Sequence, residues 1–257
     1  MILNADYHTH TPYSHGKNTV DENVARAKEL GFQAVGITDH GFSHIIYGLR
    51  RRKLEDYKRE CKEAEEKHGI KVYTGLEANI RGESGLTDIT EKDYEHFDLY
   101  LAGHHIFLNY EKLKDWIRYF GFGNVWLRFG FKGSEGLARA NTKAYIEAIQ
   151  KNPIDILTHL AFLAPCNAVE VAKCAADHGT YIELNSKKTH LTDEELAAVA
   201  NTGARFLIDS DAHSADRVGD AARVEEQLAR INFPMDRIDN IDGRTPNFRF
   251  EEFKKRL

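Results

Sequence analysis

Residues 1–17 read MILNADYHTHTPYSHGK. A short apolar run ends in His8-Thr9-His10, and His15 follows in the next turn. Three of the chain's 13 histidines therefore fall in one opening strand and loop. Side chains two apart on a strand share a face, so the imidazoles of His8 and His10 can reach one ion. A metal site of this kind needs further ligands, and these must come from other strands that end in the same place.

Six more runs read as strands beside 2–8 (ILNADYH): 33–38 (QAVGIT), 71–77 (KVYTGLE), 97–103 (FDLYLAG), 154–158 (IDILT), 180–185 (TYIELN) and 204–209 (ARFLID). Helical patterns separate most of them, over 20–31, 54–69, 141–152, 167–179 and 192–203. Two of these start acidic and stop at a glycine, the usual helix ending. The last opens with Thr192 and Glu195, a capping-box pattern. Strand–helix repetition predicts an α/β fold with a parallel sheet under covering helices. About seven such units favour closure into a barrel, with an open doubly wound sheet as the alternative.

The remaining ligand candidates sit where a barrel would gather them. His40 ends the second strand in GITDH, and Glu77 ends the third in TGLEANI. His105, or its neighbour His104, ends the fourth in YLAGHH, and His159 ends the fifth in ILTH. Asp211 and His213 follow the seventh in IDSDAH, again two apart. Six of the seven strands thus deliver a His, Glu or Asp at the carboxyl end, where parallel barrels build their sites. Imidazole and carboxylate are ligands for Zn²⁺, Mn²⁺ and Fe²⁺. A lone strand-end histidine is more often a satisfied polar residue; the ordered set is not explained that way. His44 and His104 are near enough in sequence to line such a site. His68 and His178 lie at helix C-termini and read as surface residues.

The bulk numbers set the frame. A chain of 257 residues suits one barrel, so residues 1–257 are read as a single domain. Hydrophobic residues make up 42%, enough for a large core. The net charge is −5, which argues against a nucleic-acid-coating surface but leaves a metal-dependent nuclease open. Three cysteines with no C-x-x-C pair read as reduced thiols of a cytoplasmic protein. No run suits a signal peptide or a membrane span. Residues 106–139 break the rhythm. This aromatic-rich stretch holds both tryptophans and reads as a part-helical insertion: a self-packed satellite cluster, a wall over the site or a subunit contact.

Taken in order, H-x-H, T-D-H, a strand-end Glu, G-x-H, a strand-end His and S-D-x-H resemble the PHP (polymerase and histidinol phosphatase) family. The segments GLEANI, DLYLAGHH and IELNS resemble its stand-alone phosphatases with a trinuclear zinc centre. The resemblance spans residues 4–240 apart from the insertion. It implies a distorted seven-stranded (β/α)7 TIM-like barrel with the metal site at the C-terminal ends of the strands. It also implies three ligand groups: His8, His10, Glu77 and Asp211; His15, His40 and His213; Glu77, His105 and His159, with Glu77 shared. His105 is preferred to His104 because the family's ligand lies two residues after the glycine, here Gly103. Two departures stand out: a His10–His15 spacing one residue shorter, and a longer insertion.

The implied reaction is hydrolysis of a small-molecule phosphomonoester by metal-activated hydroxide, with three zinc ions, or manganese or iron. No strand-end Cys or Ser–His pair stands out as a nucleophile. Arg81, Asn185 and Arg217 are candidate substrate contacts, since an arginine fork suits phosphate. Asp39 either orients an imidazole or caps a turn. The competing readings are a phosphodiesterase or exonuclease acting on nucleic acid, an amidohydrolase, and a non-catalytic metal-binding or regulatory protein. TDH and SDAH suit the PHP pattern better than the amidohydrolase order.

Overall fold

A computed structural model of the chain describes residues 1–121, 124–130 and 132–257. Seven strands form one parallel sheet in sequence order: β1 (Ala5–Thr9), β2 (Ala34–Ile37), β3 (Lys71–Asn79), β4 (Leu99–Gly103), β5 (Ile156–Leu157), β6 (Tyr181–Asn185) and β7 (Phe206–Asp209). The helices between and after them are α1 (Val20–Glu29), α2 (Leu54–His68), α3 (Leu113–Asp115), α4 (Asn124–Leu127), α5 (Glu135–Lys151), α6 (Ala168–His178), α7 (Asp193–Ala200), α8 (Ala222–Leu228) and α9 (Arg249–Lys254). Local chemistry sets their ends. Thr19 and Glu22 form a capping box on α1, as do Thr192 and Glu195 on α7. Gly69 and Gly179 stop α2 and α6 in the left-handed conformation.

Strand order 1 to 7 with every neighbour parallel is a single winding, and the sheet curls into a nearly closed barrel, as the repeat predicts. The β1–β7 seam is stitched mainly by side chains. Tyr7 N–H donates to Asp209 Oδ1 at 2.7 Å. The buried Asn240 amide donates to the carbonyls of Ala5 (3.0 Å) and Ile208 (2.7 Å) and accepts from Ile208 N–H (3.0 Å). At the carboxyl end His10 N–H donates to Ala212 O (2.8 Å) and Ala212 N–H to His8 O (3.3 Å).

The barrel interior is layered. Ala5, Tyr7, Leu99, Leu101, Ile156, Tyr181, Leu207 and Phe248 form an apolar floor. Alternation along the strands then brings polar residues inward above it: Glu77 and Asn79 on β3, Glu183 and Asn185 on β6. On β1 the alternation is broken. Tyr7 is part of the floor, so His8 beside it should face outward. A register shift between Asp6 and Thr9 re-aims it into the barrel.

The insertion follows β4 as expected. Its first residues are zipped to the loop after β2, through Ile45 N–H to Phe107 O and Asn109 N–H to Ser43 O, both 2.9 Å. Leu108, Tyr110, Tyr119 and Leu137 form a satellite core with Trp116 and Leu127 packed on it. The part-helical reading of the insertion holds: α3 runs directly into a π-helical turn, Trp116–Gly121. Residues 135–139 belong to α5, whose N-cap Ser134 accepts from Leu137 N–H. Residues 122, 123 and 131 lie outside the described set.

One amide supplies three of the hydrogen bonds at the seam. Asn240→Ala would strand Ile208 N–H and two carbonyls in a buried strand junction, and each unsatisfied group costs about 1–3 kcal/mol. We expect a loss of about 2–4 kcal/mol in urea unfolding; an unchanged midpoint would show that the ladder alone closes the barrel.

Candidate metal centre

Glu77 lies at the middle of the upper barrel, fully buried. Its Oε2 is 2.7 Å from His40 Nδ1, 3.4 Å from His8 Nε2 and 3.7 Å from His10 Nε2. Its Oε1 is 2.7 Å from His159 Nε2 and 3.3 Å from His105 Nε2. Asp211 Oδ1 lies 3.3 Å from both His10 Nε2 and His213 Nδ1, and 4.0 Å from His8 Nε2. The His15 ring sits 4.2 Å from His213 and stacks on His40 at 4.9 Å. The nine residues that the sequence nominates thus lie together at one end of the barrel: six are buried, His105 and His213 are half-buried, and His15 sits exposed at the edge.

Three subsets have donor atoms close enough to share an ion: His8–His10–Asp211, His10–His40–His213 and His40–Glu77–His105. The first lies within one of the expected ligand groups. In the other two, His10 takes the place expected of His15, and His40 the place expected of His159.

The donor chemistry fits divalent cations. Glu77 Oε2, His40 Nδ1 and His213 Nε2 are buried without a hydrogen-bond partner. The His40–Glu77 approach at 2.7 Å is close but not aligned as a hydrogen bond. Orphaned buried polar atoms are costly unless something else engages them. The protonation of His10, His40 and Glu77 also suits ligation, whereas at His8 burial is outweighed by the carboxylates of Glu77 and Glu183, which raise the imidazole well above its usual range. Burial, reinforced by the imidazoles of His213 and His40, holds His10 well below the usual histidine range. Burial likewise lowers His40 against the pull of Glu77. Burial opposes the charge on Glu77, yet the imidazoles of His105, His8 and His40 hold its carboxyl well below the ordinary value. Neutral imidazole and ionised carboxylate are the ligating forms.

Outer contacts aim these side chains. Glu183 Oε1 accepts from His8 Nδ1 at 2.5 Å, which leaves His8 Nε2 facing the cluster. Glu183 Oε2 accepts from His159 N–H (2.5 Å) and Asn185 Nδ2 (2.9 Å). Asn79 Oδ1 lies 2.8 Å from His105 Nδ1. His159 and Asp211 have φ of 31° and 49°, a left-handed backbone that non-glycine residues adopt at a cost of roughly 1–3 kcal/mol each. Gly103 makes room beneath them: a Cβ there would lie 2.2 Å from Thr158 Oγ1 and 2.8 Å from His159 Cε1. Asp39 caps the 11–14 turn, accepting from Thr11 N–H (2.8 Å), Thr11 Oγ1 (2.6 Å) and Ser14 N–H (3.1 Å). It thereby fixes the loop that carries His15. Burial raises its carboxyl to about 6.

Above the cluster opens a cleft of about 630 Å³. His44, His104 and Asn185 line it. Arg81 and Arg217 do not: Arg81 Nε donates to Asn109 O (2.9 Å), and Arg217 pairs with Asp220 (2.7 Å). The cationic lining comes instead from Arg128, Lys187, Lys188 and Arg223. Lys187 Nζ is 3.2 Å from both Asp211 Oδ1 and His213 Nδ1. Glu183 and these four cations escape the sequence reading. Lys187 and Lys188 directly follow the sixth strand in LNSKK, a position that could have flagged them.

Comparison with known proteins shows the family and agrees with the fold. The PHP domain family model matches residues 6–210. A protein of Proteus mirabilis (strain HI4320) named "Probable phosphatase" is 31% identical over 251 residues, covering 93% of this chain and 90% of its own. The histidinol phosphate phosphatase of Lactococcus lactis, solved with zinc, L-histidinol and phosphate, superposes with a TM-score of 0.59. It is 15% identical and covers 91% of this chain and 95% of its own. A chain of an archaeal ribonuclease P solved with mature tRNA gives 0.51 at 15% identity, covering 90% and 84%. At those identities the two structures speak to the fold.

Glu183→Gln tests the outer contacts. It keeps the shape but removes the carboxylate that sets the His8 tautomer. Zinc affinity, measured by competition with a chromophoric chelator, should fall about 10–100-fold with the unfolding transition retained. Unchanged affinity would reduce Glu183 to a packing residue.

Proposed function

The chain belongs to the PHP family, and we propose that it hydrolyses a small-molecule phosphomonoester at a centre of three divalent ions, zinc foremost, with manganese or iron as alternatives. The observation that carries this reading is the convergence of seven histidines, Glu77 and Asp211 beneath a cationic cleft. His8, His10, Glu77 and Asp211 would hold one ion, His15, His40 and His213 a second, and Glu77, His105 and His159 a third. Bound divalent ions neutralise phosphoryl charge and lower the pKa of water.

The chain's own residues do the rest. Glu183 and Asn79 fix the imidazole orientations, so little reorganisation is left for the moment of reaction. Lys187 projects from the end of β6 toward Asp211 and His213, where it can pair with a phosphoryl oxygen. Asn185, anchored by Glu183 and 3.3 Å from Asp211 Oδ2, offers an amide on the same side. Among the described residues lining the cleft there is no Ser, Thr or Cys. This supports direct hydrolysis without a covalent phosphoryl-enzyme.

The deciding experiment offers metal-reconstituted protein a panel of phosphomonoesters and a short single-stranded oligonucleotide, with His159→Ala in parallel. Monoester turnover should appear and fall at least about 100-fold in the variant. Acid quenching during turnover should leave no labelled phosphoryl group on the protein. Release of nucleotides with little monoester turnover would instead establish the phosphodiesterase reading. A panel with no turnover at all would leave a metal-binding protein without this activity.

A further inference from the structure

The cleft is asymmetric in charge. Among the described lining residues, Asp211 is the sole carboxylate, and it faces the floor beside His10 and His213. Four cations line the cleft. Lys187 is engaged with Asp211 and His213 at the floor. Arg128, Lys188 and Arg223 are different: all three are exposed, and none makes an ion pair among the described residues. They come from three separate places in the chain: the insertion, the loop after β6 and the first turn of α8. Elsewhere some surface cations are paired, as with Arg51–Asp93, Arg59–Asp56 and Arg230–Asp193, and others, such as Arg52 and Lys173, make no ion pair among the described residues. The three here are set apart by convergence from distant segments onto one cavity, a placement that draws anions to it.

Such an anion subsite is additional to what one phosphoryl group needs. The phosphate to be cleaved is met by the ions and Lys187 at the floor. A cavity of about 630 Å³ has room for a body several bonds longer than phosphate alone. Resting on the phosphomonoesterase reading, we infer that the substrate is a phosphomonoester carrying a second anionic group, a phosphate or a carboxylate. The second group is held by Lys188, Arg223 and Arg128 while the first lies at the metal floor.

The test uses metal-loaded full-length protein and three matched probes: a propanediol monophosphate, the same chain ending in a carboxylate, and the bisphosphate. kcat/KM should be roughly tenfold or more higher for a probe with a second anionic group than for the monophosphate, from several exposed charge contacts acting together. The preference should shrink as salt rises. Preference for only one of the two such probes identifies which group the subsite takes. In Lys188→Ala/Arg223→Ala the ratio should collapse toward one. Arg256→Ala, beyond α9 at the opposite end of the barrel, should leave the ratio unchanged and so control for charge alone. Equal kcat/KM for all three probes, or a ratio that survives the double variant, overturns the inference. If no probe is hydrolysed, the phosphomonoesterase reading fails separately. Calorimetric affinities of the same probes then decide the subsite: tighter binding of the probes with a second anionic group, lost in the double variant, supports it, and equal binding overturns it.

Discussion

The structure turns on one buried carboxylate. Glu77 has no solvent exposure, and an isolated carboxylate in such a place would be neutralised or expelled. Burial opposes its charge, but the imidazoles of His105, His8 and His40 favour the ionised form, and five imidazole nitrogens lie within 3.7 Å of its oxygens. Those imidazoles come from β1 and the segments following β1, β2, β4 and β5, so the charge balance of one side chain ties most of the barrel rim together. The same arrangement leaves Glu77 Oε2 and His40 Nδ1 without hydrogen-bond partners. A protein folded only for stability would pair them; a cation site leaves them open.

Placing this cluster required two departures from regular strand geometry. The register shift in β1 turns His8 inward next to Tyr7, so one short strand contributes both to the apolar floor and to the polar rim. The left-handed backbone at His159 swings its ring over Glu77 Oε1. Glu183 steadies both, accepting from the His8 ring and from His159 N–H. The strain is therefore held in place by the residue that also sets the ligand tautomer, so the two functions cannot be lost independently.

This logic decides what could be read from sequence. The strand-end residues were legible because a parallel barrel sends every carboxyl end to one rim; position along the chain then maps onto position in space. All seven strands and five covering helices follow from their periodicity. Glu183 was not legible, because a single acidic residue between Ile182 and Leu184 looks like a flaw in an apolar strand. Only the inward neighbours His8 and His159 give it a role. Arg81 and Arg217 show the converse placement. Each lies near a ligand in sequence, but the loop geometry turns its guanidinium to a local partner, Asn109 O or Asp220. Arg128 reaches the cleft from an insertion whose path no periodicity could forecast.

The same contrast explains the division of labour within the barrel. The floor, from Ala5 to Phe248, is apolar and packed, and the seam beneath the site is fixed by Asn240 and Asp209. Stability is thus concentrated at the amino ends of the strands. The carboxyl ends carry unpaired donors, strained backbone and a loop, 11–14, held by the buried Asp39. Such a rim gains from any cation that satisfies its orphaned atoms, since a ligand that binds only the folded state stabilises it. The polar cluster is then the part of the protein whose stability bound ions would raise. This coupling is what a site assembled from seven different strands and loops needs in order to hold a single geometry.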